Sequence, residues 1–214
     1  MTGEPPGADA LLASAAAGDA AAWGALLMTH QERLWRMVAF RMDPRLRGRV
    51  DALDVVQDAF VQAAAHRPDY FAAPGTPLFL WLRTITANKL IETHRHHLGT
   101  RMRDAKRERP LDAPNWRDDT SARLCAQLTA GLTRPSVAAV RGEVTTRLAE
   151  ALEGMDPIDR EILALRHFEQ LTNAEAAQVL GIGEDAAAKR HLRALRRLKD
   201  VLSDMPGGLT EVRP

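Results

Sequence analysis

Apolar residues recur at steps of three and four along most of this chain, which is the period of amphipathic helices. A first helical region is predicted from about Ala8 to Met42, a second over about Asp51 to His66, and a third from about Leu78 to His97. Asp43-Pro44 and Pro68 end the first two, because a proline disfavours helical backbone in the residue before it.

The period weakens over residues 104–134, where prolines and a glycine interrupt it, although Leu124 and Leu128 are compatible with a short helix. It returns after this segment, and Asp156-Pro157 has the composition of a helix start. Abundant alanine and the absence of β-branched runs favour helix over strand. We therefore predict an all-α protein with two small helical domains, residues 8–103 and 135–205, joined by a flexible linker over 104–134.

A helix-turn-helix is predicted near the C-terminus. Thr172 and Glu175 form a Thr-x-x-Glu capping box, and Gly181 and Gly183 permit a tight turn before a second helix from Glu184. No acidic residue interrupts that second helix between Ala188 and Lys199. A short helix followed across a glycine turn by a basic helix is the arrangement that enters a DNA major groove. The basic side chains taken as its candidate DNA contacts are Lys189, Arg190, Arg193 and Arg197.

Composition sets limits on the class of protein. The 214 residues carry a net charge of only +1, so any attraction to nucleic acid depends on local charge. The single cysteine, Cys125, excludes an intramolecular disulfide and a cysteine-cluster zinc site, and it suits a cytoplasmic protein. No apolar run approaches the roughly 18 residues that span a bilayer, so no membrane insertion is expected.

Catalytic and metal sites find little support in the sequence. His94, His96 and His97 do not share one helix face and have no nearby carboxylate or cysteine, so a solvated helix end is favoured over a metal site. No nucleophile–base pair, phosphate-binding glycine loop or supported pair of carboxylates is found. We expect no enzyme activity, no metal and no cofactor.

Two further motifs are ambiguous when each is taken alone. Asp54-Val55-Val56-Gln57-Asp58-Ala59-Phe60 forms an acidic helix face that ordinary solvation would explain. Trp81-Leu82-Arg83, with Asn88 five positions later, places an aromatic residue ahead of a basic helix. Such an aromatic residue either stacks on unpaired bases or belongs to the core, and the core is favoured for Trp81.

In this order, however, Asp54 to Phe60, Trp81 to Asn88 and the C-terminal helix-turn-helix resemble a bacterial RNA polymerase sigma factor of the extracytoplasmic-function (ECF) group. Members of this group keep only the second and fourth conserved sigma regions. The resemblance implies a protein that binds core RNA polymerase and directs promoter recognition, DNA melting and transcription initiation. The helix-turn-helix alone also allows an alternative, a regulator that binds duplex DNA as a dimer without polymerase.

The resemblance also implies roles for residues of this chain. The polymerase-binding set, on a helix that docks on the β′ coiled coil, is Asp54, Val55, Gln57 and Asp58. Val56 and Phe60 would pack inside the domain. The set facing the −10 element, beside a loop that holds a flipped base, is Tyr70, Phe71, Arg83, Asn88, Lys89 and Arg95. The C-terminal set, Lys189, Arg190, Arg193 and Arg197, would face the −35 element.

The implied partners are core RNA polymerase, through its β′ coiled coil and β subunit, and promoter DNA, with the sigma factor itself a monomer. Many members of the group are held by an anti-sigma factor, so such a partner is a further expectation. One departure from the family pattern concerns the start of the recognition helix, which reads Asp185-Ala186-Ala187-Ala188. Alanines offer no hydrogen bonds to base edges, so −35 specificity is expected either to be weak or to shift toward Lys189 and beyond.

Overall fold

The computed structural model describes residues 7–46, 48–72, 75–98, 115–130 and 138–203, and all regular structure within these ranges is helical. The prediction of an all-α protein is confirmed. The chain divides into two compact units, Met1–Leu111 and Asp112–Pro214. In the described ranges no helix is both long and apolar enough to cross a membrane.

The described residues of the first unit form five α-helices and one short 3₁₀ turn. They are α1 (Ala8–Ala16), α2 (Ala20–Arg41), the 3₁₀ turn (Pro44–Leu46), α3 (Ala52–Ala65), α4 (Arg67–Ala72) and α5 (Leu78–Leu98). Helices α2, α3 and α5 pack on one another. Among its described residues, the largest fully buried side chains are Leu34, Met37, Leu46, Leu82 and Leu90.

Two sequence predictions for this unit need correction. The region from Ala8 to Met42 is two helices, because Gly18 has a left-handed φ of +105° and Asp19 caps a new helix by accepting from the N–H groups of Ala21 and Ala22. Pro68, predicted to end the second helix, is followed by further helical backbone, because α4 runs from Arg67 to Ala72.

Where the structure describes it, the second unit forms five α-helices and one π-helical turn. They are α6 (Asn115–Ala130), α7 (Ala138–Glu153), α8 (Pro157–Leu163), the π turn (Ala164–Phe168), α9 (Asn173–Leu180) and α10 (Glu184–Ser203). Asp156 caps α8 with its side chain and Pro157 occupies the first turn, as the sequence predicts. The largest fully buried side chains of this unit are Leu124, Leu148, Leu152, Ile162, Leu163, Leu165 and Leu171.

The linker prediction for residues 104–134 is wrong over residues 115–130, which form α6. This helix packs on α7 and α8. Two side-chain hydrogen bonds attach it to α8: Thr120 Oγ1 donates to Glu161 Oε2 at 3.0 Å, and Arg160 Nη1 donates to Ser121 Oγ at 2.6 Å. The remainder of the predicted linker lies outside the described residues.

The predicted helix-turn-helix is formed by α9 and α10. The capping box is present, with Glu175 N–H donating to Thr172 Oγ1 at 3.2 Å and Thr172 N–H donating to Glu175 Oε2 at 2.7 Å. Gly181 ends α9 with a left-handed φ of +65°, whereas the φ of Gly183 is not positive. Only the first glycine is therefore required by the backbone of the turn.

We predict that Gly181→Ala destabilises the second unit by about 1–2 kcal/mol, because an L-residue is strained in left-handed backbone. Gly183→Ala is the matched control, since a methyl group there meets nothing within 4 Å and its backbone is not left-handed. Urea unfolding of both variants measures the difference. Equal loss of stability in the two would contradict the assignment of the turn to Gly181.

Candidate polymerase and promoter interfaces

The outer face of α3 carries three of the four residues in the predicted polymerase-binding set. Asp54, Gln57 and Asp58 are exposed, whereas Val55 is only 3% exposed and belongs to the core with Val56. Placing Val55 on the docking surface is therefore wrong. Adjacent valines point about 100° apart on a helix, and the packing of α3 against α2 and α5 buries both of them.

Val61 is the residue on this face that the sequence analysis missed. It is 73% exposed and lies four positions after Gln57 and seven after Asp54, on the same side of the helix. The spacing alone would have found it, because positions i, i+3, i+4 and i+7 share one face. We call the exposed set Asp54, Gln57, Asp58 and Val61 the α3 outer face.

An aromatic cluster lies next to the start of α5. Trp23 has its ring centroid 5.7 Å from Phe71, 6.0 Å from Tyr70 and 6.1 Å from Trp81, and Tyr70 lies 5.1 Å from Trp81. Tyr70, Phe71 and Trp81 are half-buried while Trp23 is buried. The rings of Tyr70, Phe71 and Trp81 are thus held in place by aromatic contacts, and each keeps part of its surface accessible.

One stripe of α5 remains accessible along its length. Thr84, Asn88 and Arg95 are exposed and Trp81 is half-buried, and these four positions recur at steps of three, four and seven. We call them the α5 stripe. Asn88 and Arg95 are the members of the predicted −10 set that it presents, and the aromatic cluster stands at its N-terminal end.

The other two α5 members of the −10 set are placed differently. Arg83 is only 8% exposed and lies on the packed side of the helix, so its assignment to a DNA phosphate is wrong. Lys89 Nζ lies 3.1 Å from Glu92 Oε2 and 3.5 Å from Asp58 Oδ2. The hydrogen bond to Glu92 raises the pKa of Lys89, and the charge of Asp58 adds to it. This lysine therefore connects α5 to the α3 outer face.

The histidines at the end of α5 are accounted for without a metal. His94 Nε2 accepts a hydrogen bond from the Asp43 N–H at 3.2 Å, which ties α5 to the end of α2. His96 and His97 contact each other edge to face. Within the described ranges, no three potential ligands from His, Cys, Asp and Glu are grouped closely enough to hold an ion.

Helix α10 buries one stripe and presents the opposite one. Ala187, Ala194 and Leu198 are buried at steps of seven and four. At about 100° per residue, the opposite side carries Asp185 and Asp200 near its two ends and, between and beside them, Lys189, Leu192, Arg196 and Lys199. The last four are the residues considered for DNA contact. All four are exposed, and Leu192 remains 49% accessible despite being apolar. We call these four residues the α10 outer face.

Three of the four residues in the predicted −35 set lie instead on a flank of α10. Arg190 Nη1 donates to Asp159 Oδ1 at 2.7 Å, and Arg193 Nε lies 3.2 Å from Asp159 Oδ2. Arg197, though exposed, lies over Gly154: a methyl group built there would be 2.6 Å from Arg197 Nη2. Of the predicted set, only Lys189 is on the outer face.

The reason for this placement is the acidic residues of the neighbouring helix. Asp159 in the first turn of α8 faces the α10 flank, and the hydrogen bond to it, together with the charge of Asp156, raises the pKa of Arg190. A count of positive charges along α10 does not show which of them an acidic neighbour neutralises. Arg196 and Lys199, which are not among the predicted contacts, are exposed on the outer face.

A histidine pair connects the π turn to α10. His167 Nε2 and His191 Nε2 are 2.9 Å apart, a hydrogen-bonding distance that requires one ring nitrogen to carry a proton and the other to lack it. Burial lowers the pKa of both histidines, and the positive charge of Arg166 lowers both further. The pair therefore favours the neutral state of both rings.

Comparison with known proteins identifies the class to which these helices belong. Residues 26–98, from α2 to the end of α5, match the family model for sigma-70 region 2, and residues 145–198 match that for sigma-70 region 4. Sigma factors partner with core RNA polymerase and promoter DNA and are generally non-catalytic regulators of transcription. A stand-alone helix-turn-helix regulator would match region 4 alone. The additional match to region 2 therefore favours a sigma factor over that alternative.

Individual relatives of the chain indicate which group of sigma factors it resembles. The ECF RNA polymerase sigma factor SigD of Mycobacterium tuberculosis is 31% identical over 94% of this chain and 86% of its own length. The RNA polymerase sigma factor CnrH of Cupriavidus metallidurans is 32% identical over 92% and 96%. A solved structure of CnrH in complex with the cytosolic domain of CnrY has 26% identity and a TM-score of 0.48, covering 90% of this chain and 95% of that one.

The chain belongs to the ECF RNA polymerase sigma factors. It directs promoter-specific transcription initiation, as the sequence resemblance implies. Helices α1 and α6 lie outside both family models.

We predict that the second unit loses stability as the pH falls below about 6.5, the usual pKa of histidine. Because the pKa values of His167 and His191 are lowered in the folded chain, the unfolded chain binds more protons in this range, and acid favours unfolding. His191→Gln should reduce this loss. Urea midpoints at pH 7.5 and pH 5.5 measure it.

The control is His96→Gln, which changes a histidine of the first unit and should keep the wild-type pH dependence. If His191→Gln and the wild type lose the same stability between the two pH values, the histidine pair is not the group that titrates.

Proposed function

We propose that this sigma factor docks on the β′ coiled coil of core RNA polymerase through the α3 outer face, holds the −10 element along the α5 stripe, and reads the −35 element with the α10 outer face. The observation that carries this proposal is that α3, the helix with the Asp54-to-Phe60 motif, has one exposed polar side and one buried apolar side. Its polar residues Asp54, Gln57 and Asp58 are all exposed, while Val55 and Val56 form core.

The α3 outer face supports a protein–protein contact in which charge and apolar area are combined. Asp54 and Asp58 offer carboxylates to basic side chains, Gln57 offers both a donor and an acceptor, and Val61 adds exposed apolar surface one turn later. A single exposed valine needs no explanation in itself. Its position in line with the acidic motif is what supports including it.

The α5 stripe supports contact with a melted strand. Asn88 can donate to and accept from base edges, and Arg95 can neutralise a phosphate. The accessible parts of Tyr70 and Trp81 at the start of the stripe offer ring surface on which an unstacked base can stack, which typically contributes about 1–3 kcal/mol per base. That range is comparable with the cost of flipping a base out of a duplex, a few kcal/mol.

The α10 outer face supports reading of a duplex by combined phosphate and apolar contacts. Lys189, Arg196 and Lys199 are exposed cations that surround Leu192 on one side of the helix. Each phosphate they neutralise would steepen the salt dependence of binding by about 0.9 log units per log salt. Leu192 offers no hydrogen bond but can contact the methyl group of a thymine.

We expect Asp54→Arg to weaken binding to core RNA polymerase by more than about tenfold, because it reverses the charge of a rim residue at a polar docking surface. Fluorescence anisotropy with labelled full-length protein and core polymerase measures the dissociation constant. Asp69→Arg makes the same charge reversal on α4, outside the α3 outer face, and should bind like the wild type. Equal affinity of all three proteins would refute docking through α3.

Asn88→Ala should leave core polymerase binding unchanged and lower the amount of open promoter complex by roughly fivefold, the loss of about one hydrogen bond. Permanganate reactivity of the melted strand in the holoenzyme–promoter complex reports this directly. Gln127→Ala removes an exposed side-chain amide from α6 and should open the promoter normally. An Asn88→Ala holoenzyme that melts DNA as well as the wild type would exclude Asn88 from the −10 contact.

A further inference from the structure

The carboxylate of Asp159 holds two arginines of the recognition helix at once. Its side chain is 8% exposed, and each of its oxygens has one arginine: Oδ1 lies 2.7 Å from Arg190 Nη1 and Oδ2 lies 3.2 Å from Arg193 Nε. Asp156, one turn earlier, lies 3.3 Å from the same Arg190 nitrogen. We call this set of four residues the α8–α10 clamp.

Burial makes the clamp a strong constraint on its arginines. A carboxylate removed from water must be paired and hydrogen-bonded, and here the partners are Arg190 and Arg193. Arg190 has only 26% of its side chain exposed and is held by two carboxylates, whereas Arg193 is 63% exposed and held by one. The two arginines are therefore retained to different degrees.

The α8–α10 clamp reduces the number of positive side chains of α10 that are available to DNA phosphates. Guanidinium groups bind phosphate with the same planar geometry with which they bind carboxylate, so a carboxylate on the flank competes with phosphate for them. Affinity for arbitrary duplex rises with every cation free to displace a counterion. With Arg190 and Arg193 held by Asp159, the outer face presents Lys189, Arg196 and Lys199 around Leu192.

We propose that Asp159 is a positioning residue for the −35 contact: it withholds Arg190 and Arg193 from the DNA backbone, and thereby limits binding to non-promoter duplex. This inference rests on the proposed reading of the −35 element by the α10 outer face. Its consequence is selectivity, because removing phosphate contacts weakens binding to all sequences while base contacts favour the promoter alone.

The test compares holoenzymes that carry full-length wild type or Asp159→Asn on a promoter duplex and on a scrambled duplex over a range of salt. Asp159→Asn keeps the shape of the side chain and removes its charge. The proposal predicts a salt slope on scrambled duplex that is steeper by about 1 to 2 log units per log salt, since two arginines are released. It also predicts a smaller ratio of promoter to scrambled affinity.

Two further proteins separate positioning from simple stabilisation. Arg190→Gln and Arg193→Gln introduced together into Asp159→Asn should restore the wild-type slope. Glu150→Gln removes the same charge from an exposed site on α7 and should leave the slope unchanged. If Asp159 only stabilises the fold, Asp159→Asn lowers affinity and melting temperature without steepening the slope, which overturns the proposal.

A pair of variants that keeps Asp159 gives an independent answer, should Asp159→Asn unfold. Arg196→Gln should reduce the slope by about 0.9, whereas Arg193→Gln should barely change it. Equal reductions would overturn the withholding of Arg193. Failure of the proposed function is distinguishable, because a holoenzyme with Lys189, Leu192 and Arg196 all replaced by alanine, and with Asp159 kept, would then retain the promoter preference of the wild type.

Discussion

Each helix that is proposed to contact polymerase or promoter must also bury one side of itself to hold its unit together. In α3 the buried side includes Val55 and Val56. In α10 it includes Ala187, Ala194 and Leu198. Because a helix turns by about 100° per residue, the choice of buried stripe decides which side chains are left for a partner. The surfaces proposed to contact polymerase and promoter are those that the packing of the two cores leaves exposed.

Ion pairs within each unit further reduce the number of positive side chains that are available to a partner. Asp58 and Glu92 both approach Lys89 in the first unit, and Asp159 holds Arg190 and Arg193 in the second. The pair involving Asp58 is exposed and screened by solvent, so it contributes little to stability. Asp159 itself is buried, and its contact with the mostly buried side chain of Arg190 constrains α10 more strongly. Positive charge along a helix is therefore a poor guide to the charge that DNA meets.

The features that sequence could predict are those set by local chemistry. The capping box of Thr172 and Glu175, the cap formed by Asp156 and the turn at Gly181 depend on a few neighbouring residues, and all are present. The outward positions of Asp54 and Gln57 follow from the helical period. The family motifs supplied the order of the two sigma regions.

The features that sequence could not predict depend on contacts between distant residues. The side on which α5 packs decides that Arg83 is buried, and an acidic residue 31 positions away decides the partner of Arg190. Helix α6 has a weak apolar period and is fixed by hydrogen bonds to α8 that no local pattern reveals. Each of these errors arises from tertiary packing, which overrides local propensity.

The central claim, that burial selects the contact faces, can be tested by hydroxyl-radical footprinting of the side chains, alone and in the holoenzyme–promoter complex. Val61 and Leu192, both exposed in the free chain, should lose reactivity on assembly. Val55 should be unreactive in both states. If Val61 and Leu192 kept their full reactivity in the complex, the α3 and α10 outer faces would not be the surfaces that meet polymerase and DNA.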